Sequence, residues 1–356
     1  MAFVPWRLTE ELSFFWGTVA VVFFALGLNL AMYFSSAEKI SGELPTQWWL
    51  WGWITGILSC ASYVTFAHRN TRSSKKKRFD YVGFQVKKLS PDDKLSPLAE
   101  TYLARWKAHI NSGNQQWNPK SMPKRYLDDC EGNLAEARAK WGKTLKWRRD
   151  WSVDDILLEQ QPYFSTIKEV SPHFLHGRDK HGRPVYYDLL GRINVEAGCS
   201  RGLTVDRYIR HCIYAGEMLW NIFEPNDEQQ MIAVMDVQGV GLQSLSGFAL
   251  EIFQQQSKIN AGHYPGRNFK TFIVNAPGWF SLIFPVILGA LDRRTKENLT
   301  VLSRDYSPLY ELIDRSDIPP QYGGTSTELG TSPEEQTLRR VAELNDARAA
   351  AAAAAR

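Results

Sequence analysis

Cysteine is scarce in this chain: 356 residues hold only Cys60, Cys130, Cys199 and Cys212. No CxxC spacing occurs, and the density is far below that of a disulfide scaffold, which points to a reducing compartment. Surplus charge of one sign is also missing. The formal net charge is +4 and the pI ≈ 8.7, below the range above about 9 typical of a nucleic-acid-binding domain. No nucleic-acid partner is expected. No GxSxG elbow is present, because Ser244 and Ser246 lie near Gly241 and Gly247 at the wrong spacing. Gly142-Lys143-Thr144 imitates the end of a phosphate loop, but Ala137 stands where that loop needs its first glycine, and no strand precedes it. The GRD at Gly177–Asp179 lacks the Gly-rich loop and DFG of a kinase. His173, His176 and His181 fall close together, yet no carboxylate or cysteine recurs at ligand spacing, so no metal is expected. Asp236 ends an apolar strand and reads as the organiser of the next turn rather than as a base. The chain reads as a non-enzyme without a cofactor.

Long apolar runs, in contrast, are plentiful near the N-terminus. Residues 13–34, SFFWGTVAVVFFALGLNLAMYF, and 46–67, TQWWLWGWITGILSCASYVTFA, carry no charged side chain. Each matches the roughly 20 residues needed to cross a bilayer core of about 30 Å. Trp48, Trp49, Trp51 and Trp53 supply the aromatic belt of an interface. The first run exceeds the ~7–15 residues of a signal-peptide core and lacks its basic flank. A transmembrane hairpin is expected, joined by the polar turn SSAEKISGELP. Arg69, Arg72, Lys75, Lys76, Lys77 and Arg78 follow directly, so the positive-inside rule places both termini in the cytosol. The same six side chains are candidates for contact with an anionic leaflet.

Residues 68–123 read as a basic juxtamembrane segment and linker, interrupted by a helix over Pro97–Ile110. A second helix, Asn133–Trp151, sets Leu134, Ala137, Trp141, Leu145 and Trp147 mostly on one face, with Lys and Arg opposite. Beyond residue 160 strands alternate with helices. The expected strands are Pro184–Leu190, Met231–Val237, Thr271–Asn275 and Leu299–Leu302. The expected helices are Thr204–Phe223, Leu245–Ala261 and Trp279–Leu291. Long helical crossovers between strands imply an α/β layer with mostly parallel strands. Residues 326–356 form a low-complexity, helix-prone tail, read as a surface helix or frayed end.

Four segments then carry a resemblance. HGRPVYYDLLGRIN (His181–Asn194), MDVQGVGLQSL (Met235–Leu245), HYPGRNFKTFIVNAPGWFSLIFPVILGALD (His263–Asp292) and DIPPQYGGT (Asp317–Thr325) follow one another as the landmarks of a CRAL-TRIO domain do. The chain resembles that lipid-binding family, of the phosphatidylinositol-transfer-protein-like type, over residues 124–325. Residues 124–160 are similar to the family's N-terminal helical region, and 161–325 to the domain itself.

The resemblance implies a mixed, mostly parallel sheet flanked by helices, with an apolar gate helix closing over one lipid. Trp279–Leu291 is apolar on almost every face, as befits a lid that faces lipid in the pocket when closed and membrane when open, or else an ordinary central helix of the core. Candidate pocket and gate residues are Tyr208, Cys212, Leu219, Trp220, Gln255, Trp279, Phe280, Phe284, Ile287 and Leu288. Phosphatidylinositol-binding members carry Glu and Lys where this chain has Gln255 and Leu288, so a buried phosphoinositol would lack its countercharge. A phospholipid or other hydrophobic ligand is expected. The implied function is uptake and transfer of a single lipid by a membrane-anchored, cytosol-facing domain, on the endoplasmic reticulum or another endomembrane. The alternative is a lipid-sensing scaffold that recruits a protein partner through the C-terminal helix.

Overall fold

A computed structural model describes residues 94–112, 121–240, 247–278, 280, 284 and 296–355. The apolar runs 13–34 and 46–67 and the basic residues Arg69 to Arg78 lie outside the described residues. Among those described, no helix is long and apolar enough to cross a membrane. In chain order the described helices and strands are α1 (Pro97–Asn111), α2 (Lys124–Asp129), α3 (Leu134–Asp150), α4 (Phe164–Val170), β1 (His173–Arg178), β2 (Pro184–Asp188), α5 (Val195–Ser200), α6 (Val205–Met218), β3 (Met231–Asp236), α7 (Gly247–His263), β4 (Asn268–Val274), β5 (Leu299–Val301), α8 (Ser307–Leu312) and α9 (Pro333–Ala354).

The five strands form one sheet in the order β1-β2-β3-β4-β5. β2, β3, β4 and β5 run parallel, and β1 is antiparallel to β2. Parallel neighbours need long crossovers, here α5 and α6 between β2 and β3, then α7 between β3 and β4. The mixed, mostly parallel sheet is the expected one. β1 is a correction: its residues read as turn-rich because Gly177 and a break in register between Leu175 and Arg178 obscure a period of two.

Strand alternation separates two faces. On the back face Phe174, Val185, Tyr187, Ile232, Val234, Phe272 and Val274 pack with Leu309, Ile313, Ile318, Tyr322 and Leu329 from the C-terminal segment. Each such side chain contributes about 1.5–3 kcal/mol on burial. The segment approaches β1 closely enough that a Cβ on Gly177 would lie 2.3 Å from the Asp317 carbonyl oxygen. On the front face Leu175 and Tyr186 meet the helical core, while Met235, Ile273, Leu299 and Val301 meet Phe280 and Phe284.

Helix ends follow their capping residues. Ser96 accepts from the Ala99 amide ahead of Pro97, Asn133 from Glu136, and Ser332 from Glu335 ahead of Pro333. The tail is helical as expected, but the first half of α9 is core rather than surface. Leu338, Val341 and Ala342 join Trp106, Tyr214 and Met218 in one cluster. Their i, i+3, i+4 spacing was visible in the sequence but overshadowed by the alanines that follow. Glu335 accepts from the Leu175 amide and Ser332 donates to the Leu175 carbonyl, so α9 covers the open edge of β1.

Candidate functional site

The floor of the site is the front face of the sheet near the C-terminal ends of its strands. Val237, Ile273 and Phe280 are buried together there, with Met235, Val240, Phe284, Leu299 and Val301 partly buried around them. The Phe280 and Phe284 rings lie 5.5 Å apart. Trp279, Ile287 and Leu288 lie outside the described residues. The chain leaves β4 for this segment through Asn275, whose φ of 58° is left-handed. Its amide donates to Asp236 at 2.9 Å, and Asp236 also accepts from the Tyr322 hydroxyl at 2.9 Å and the Gln238 amide at 2.9 Å. Asp236 thus organises the turn after β3, and it ties the root of the apolar segment to the C-terminal closing turn.

A polar cluster lies beside this floor on the same face, where Asp188 at the end of β2 stands in register with Met235. Tyr186 and Asp188 alternate with Val185 and Tyr187 along β2, so they point away from the back core. Tyr208 and Cys212, one turn apart on α6, belong to the same cluster. Tyr208 hydrogen-bonds Ser171 at 2.9 Å. Among the described residues, the buried Asp188 Oδ1 has no hydrogen-bond partner. Lys168 is near enough to act on it, but its ammonium donates to the His173 carbonyl at 2.7 Å and pairs with Glu335 at 2.9 Å. Burial therefore dominates, and the Asp188 carboxyl is pushed up to about 7. Burial and the Asp188 charge also raise the Tyr186 hydroxyl and the Cys212 thiol. Tyr186 and Cys212 are half-buried.

The sequence-based candidates therefore fall into groups. Tyr208 and Cys212 join the polar cluster, and Phe280 and Phe284 cover the floor. Leu219 and Trp220 belong to a π-helical turn, Leu219–Phe223, within the main helical core, where Arg267 lies 4.2 Å over the Trp220 ring. Gln255 is partly buried on α7 and donates to Glu251 at 3.3 Å. Sequence reading passed over Tyr186, Asp188, Ser171 and Lys168. One signal was available, a single acid on the otherwise apolar strand PVYYD.

The three clustered histidines have separate partners. His173 Nε2 lies 3.1 Å from His211 Nε2, His176 bonds Ser326 at 2.8 Å, and the His181 amide donates to Asp179 at 2.9 Å. Burial, reinforced by Lys168, lowers His211 to about 3.

A mixed sheet with an antiparallel edge strand, helices on its front face and an apolar segment after β4 places the molecule among α/β domains of the CRAL-TRIO type. The family model of the CRAL/TRIO domain matches residues 168–324, within the span expected from the four landmarks. The Sec14 cytosolic factor of Schizosaccharomyces pombe (strain 972 / ATCC 24843) is 30% identical over 209 residues, 56% of this chain and 72% of that protein. The phosphatidylinositol/phosphatidylcholine transfer protein SFH7 of Arabidopsis thaliana is 34% identical over 217 residues, 58% of this chain and 39% of that protein. SFH4 of the same plant, likewise described, is 31% identical over 212 residues, 57% and 35% of the two chains. The matched region thus spans less than two fifths of these plant relatives. A crystal structure of Sfh5 is 18% identical with a TM-score of 0.47, covering 60% of this chain and 80% of that one. The chain belongs to the CRAL/TRIO family.

Proposed function

We propose that this protein takes one phospholipid molecule into a pocket on the front face of the sheet and transfers it between membranes, without catalysis and without a cofactor. One observation carries the reading: a buried carboxylate, Asp188, whose Oδ1 has no hydrogen-bond partner among the described residues, close to Tyr186 and Tyr208 beside an apolar floor. A carboxylate in that setting is satisfied by a cationic group, and aromatic rings add cation–π attraction for a quaternary ammonium. A choline phospholipid has such a headgroup, with acyl chains to lie along Met235, Ile273, Phe280 and Phe284. Each buried CH₂ contributes about 0.8 kcal/mol, so filling the pocket offsets the loss of the bilayer. Relatives described as phosphatidylinositol/phosphatidylcholine transfer proteins support a phospholipid ligand. Gln255 and Leu288, in place of Glu and Lys, favour choline over inositol.

The apolar runs 13–34 and 46–67 anchor the chain as a hairpin, and Arg69 to Arg78 hold the domain on the cytosolic side of an endomembrane. A carrier is favoured over a scaffold acting through the C-terminal helix. Half of α9 is committed to the core, and the largely exposed remainder, Ala347–Ala355, is alanine apart from Arg348. The test is transfer of labelled phosphatidylcholine or phosphatidylinositol from vesicles bearing the full chain to acceptor vesicles. Phosphatidylcholine should move and phosphatidylinositol should lag. Movement of neither lipid would overturn the reading.

A further inference from the structure

The cations of α3 divide into two sets. Those on its inner and flanking sides are neutralised by the fold: Lys140 pairs with Asp129 at 2.5 Å, and Arg148 with Glu217 at 2.9 Å and with Asp154. The outer side carries Arg138, Lys143, Lys146 and Arg149, all exposed. Among the described residues only Lys146 of these four has a carboxylate partner, the exposed Asp150 one turn on, a pairing that contributes little. At 100° per residue the four fall within about 140° of the helix circumference, along about 16 Å of its length. Exposed apolar side chains stand at both ends of this basic strip, Leu134 at 45% and Trp151 at 39% of their full accessibility.

The strip is also rigidly held. Trp147 stacks on His263 with ring centroids 4.1 Å apart, Thr144 bonds the same imidazole at 3.1 Å, and the Tyr126 hydroxyl donates to the His263 carbonyl at 2.8 Å. α3 is thereby locked to the end of α7, the crossover that leads into β4, and it presents its outer side as a fixed surface.

We infer that the outer face of α3, through Arg138, Lys143, Lys146 and Arg149, docks the domain on an anionic phospholipid leaflet. Charge complementarity identifies the occupant. A basic strip ending in an exposed Trp and Leu matches a bilayer interface, where headgroups meet the cations and the indole sits at the boundary. Single-stranded nucleic acid would need aromatic rings interleaved with the cations for base stacking, and the strip has none.

The test is lysine footprinting of the full chain in phosphatidylcholine vesicles with or without phosphatidylserine. Acylation of Lys143 and Lys146 is read by mass spectrometry against Lys180, on the turn between β1 and β2. Both lysines should react several-fold more slowly on phosphatidylserine vesicles, and the protection should vanish at high salt. In R138E/R149E it should fall by about fivefold in partitioning per charge removed, with unchanged near-ultraviolet circular dichroism showing an intact fold. Equal protection on neutral vesicles, protection on neither, or protection by an oligoribonucleotide without vesicles would each overturn the inference.

Discussion

Arg148 on α3 grips Glu217 on α6 through two parallel hydrogen bonds of 2.9 and 3.0 Å, with both side chains buried. The Tyr264 hydroxyl at 2.6 Å and the Asn221 amide at 2.8 Å complete the carboxylate's partners. Arg148 and these donors hold Glu217 below the usual carboxylate range despite its burial. The N-terminal helices and the CRAL/TRIO domain therefore share one buried ionic joint.

Removing one side of that joint strands the other. R148M should destabilise the chain by about 3–5 kcal/mol, because it leaves Glu217 charged and enclosed. The double variant R148M/E217L should recover much of the loss. Urea denaturation checks both, and additive losses in the double variant would contradict the coupling.

Asp188 predicts a pH dependence of stability. Folded, its carboxyl titrates near 7, whereas unfolded it titrates near 3.8. Below the lower value both states are protonated and the group is neutral toward folding. As pH rises toward 7 the unfolded chain ionises first, so a penalty of about 4 kcal/mol against the fold builds up. Lipid-free D188N should therefore be more stable than wild type near neutral pH, with the gap closing toward about pH 4. A gap that ignores pH would contradict this. A cationic headgroup favours the ionised carboxylate, so lipid uptake should release a proton in weakly acidic buffer. Calorimetry in buffers of different ionisation enthalpy would detect it.

At the root of the apolar segment, Asn275 combines a left-handed φ with its bond to Asp236. N275G should keep the backbone and lose the side-chain bonds to Asp236 and Tyr306, while N275V adds strain of about 1–3 kcal/mol. Y322F removes a partner of buried Asp236 and should cost about 1–3 kcal/mol. Both N275V and Y322F should alter the rate of lipid release more than N275G does. Equal release rates in all three would separate this network from the gate.

Lys168 and Glu335 form a fully buried pair joining α4 to α9. K168M should destabilise strongly for the same reason as R148M. Deleting residues 333–356 should yield an aggregating chain, because Trp106 and Tyr214 lose Leu338 and Val341. A soluble, cooperatively folding truncation would contradict the core role of α9.

How far the sequence discloses this molecule depends on what each segment's pattern encodes. β2, β3 and β4 were legible because apolar runs of the right length are bounded by Gly, Asp and Pro, and β5 because the short run LTVL is bounded by Asn298 and Ser303. β1 was hidden because its pairing is interrupted at Gly177 and its apolar residues are few. Phe280 and Phe284 could be read from an all-apolar stretch, and Tyr208 and Cys212 from one helix face. Leu219 and Trp220 point into the helical core because the helix loosens into a π turn there, and no periodicity announces such a change. Asp188 escaped notice because a buried carboxylate is recognised only once the helix over it is in place.

The proposed function requires a cavity that holds one lipid beside Asp188. Native mass spectrometry of the full chain, followed by lipid extraction, tests this most directly. The expected result is one bound phospholipid per chain, predominantly phosphatidylcholine, with choline lipid depleted in D188N. A lipid-free chain that takes up none from phosphatidylcholine vesicles, or one in which D188N leaves the bound lipid unchanged, would contradict it.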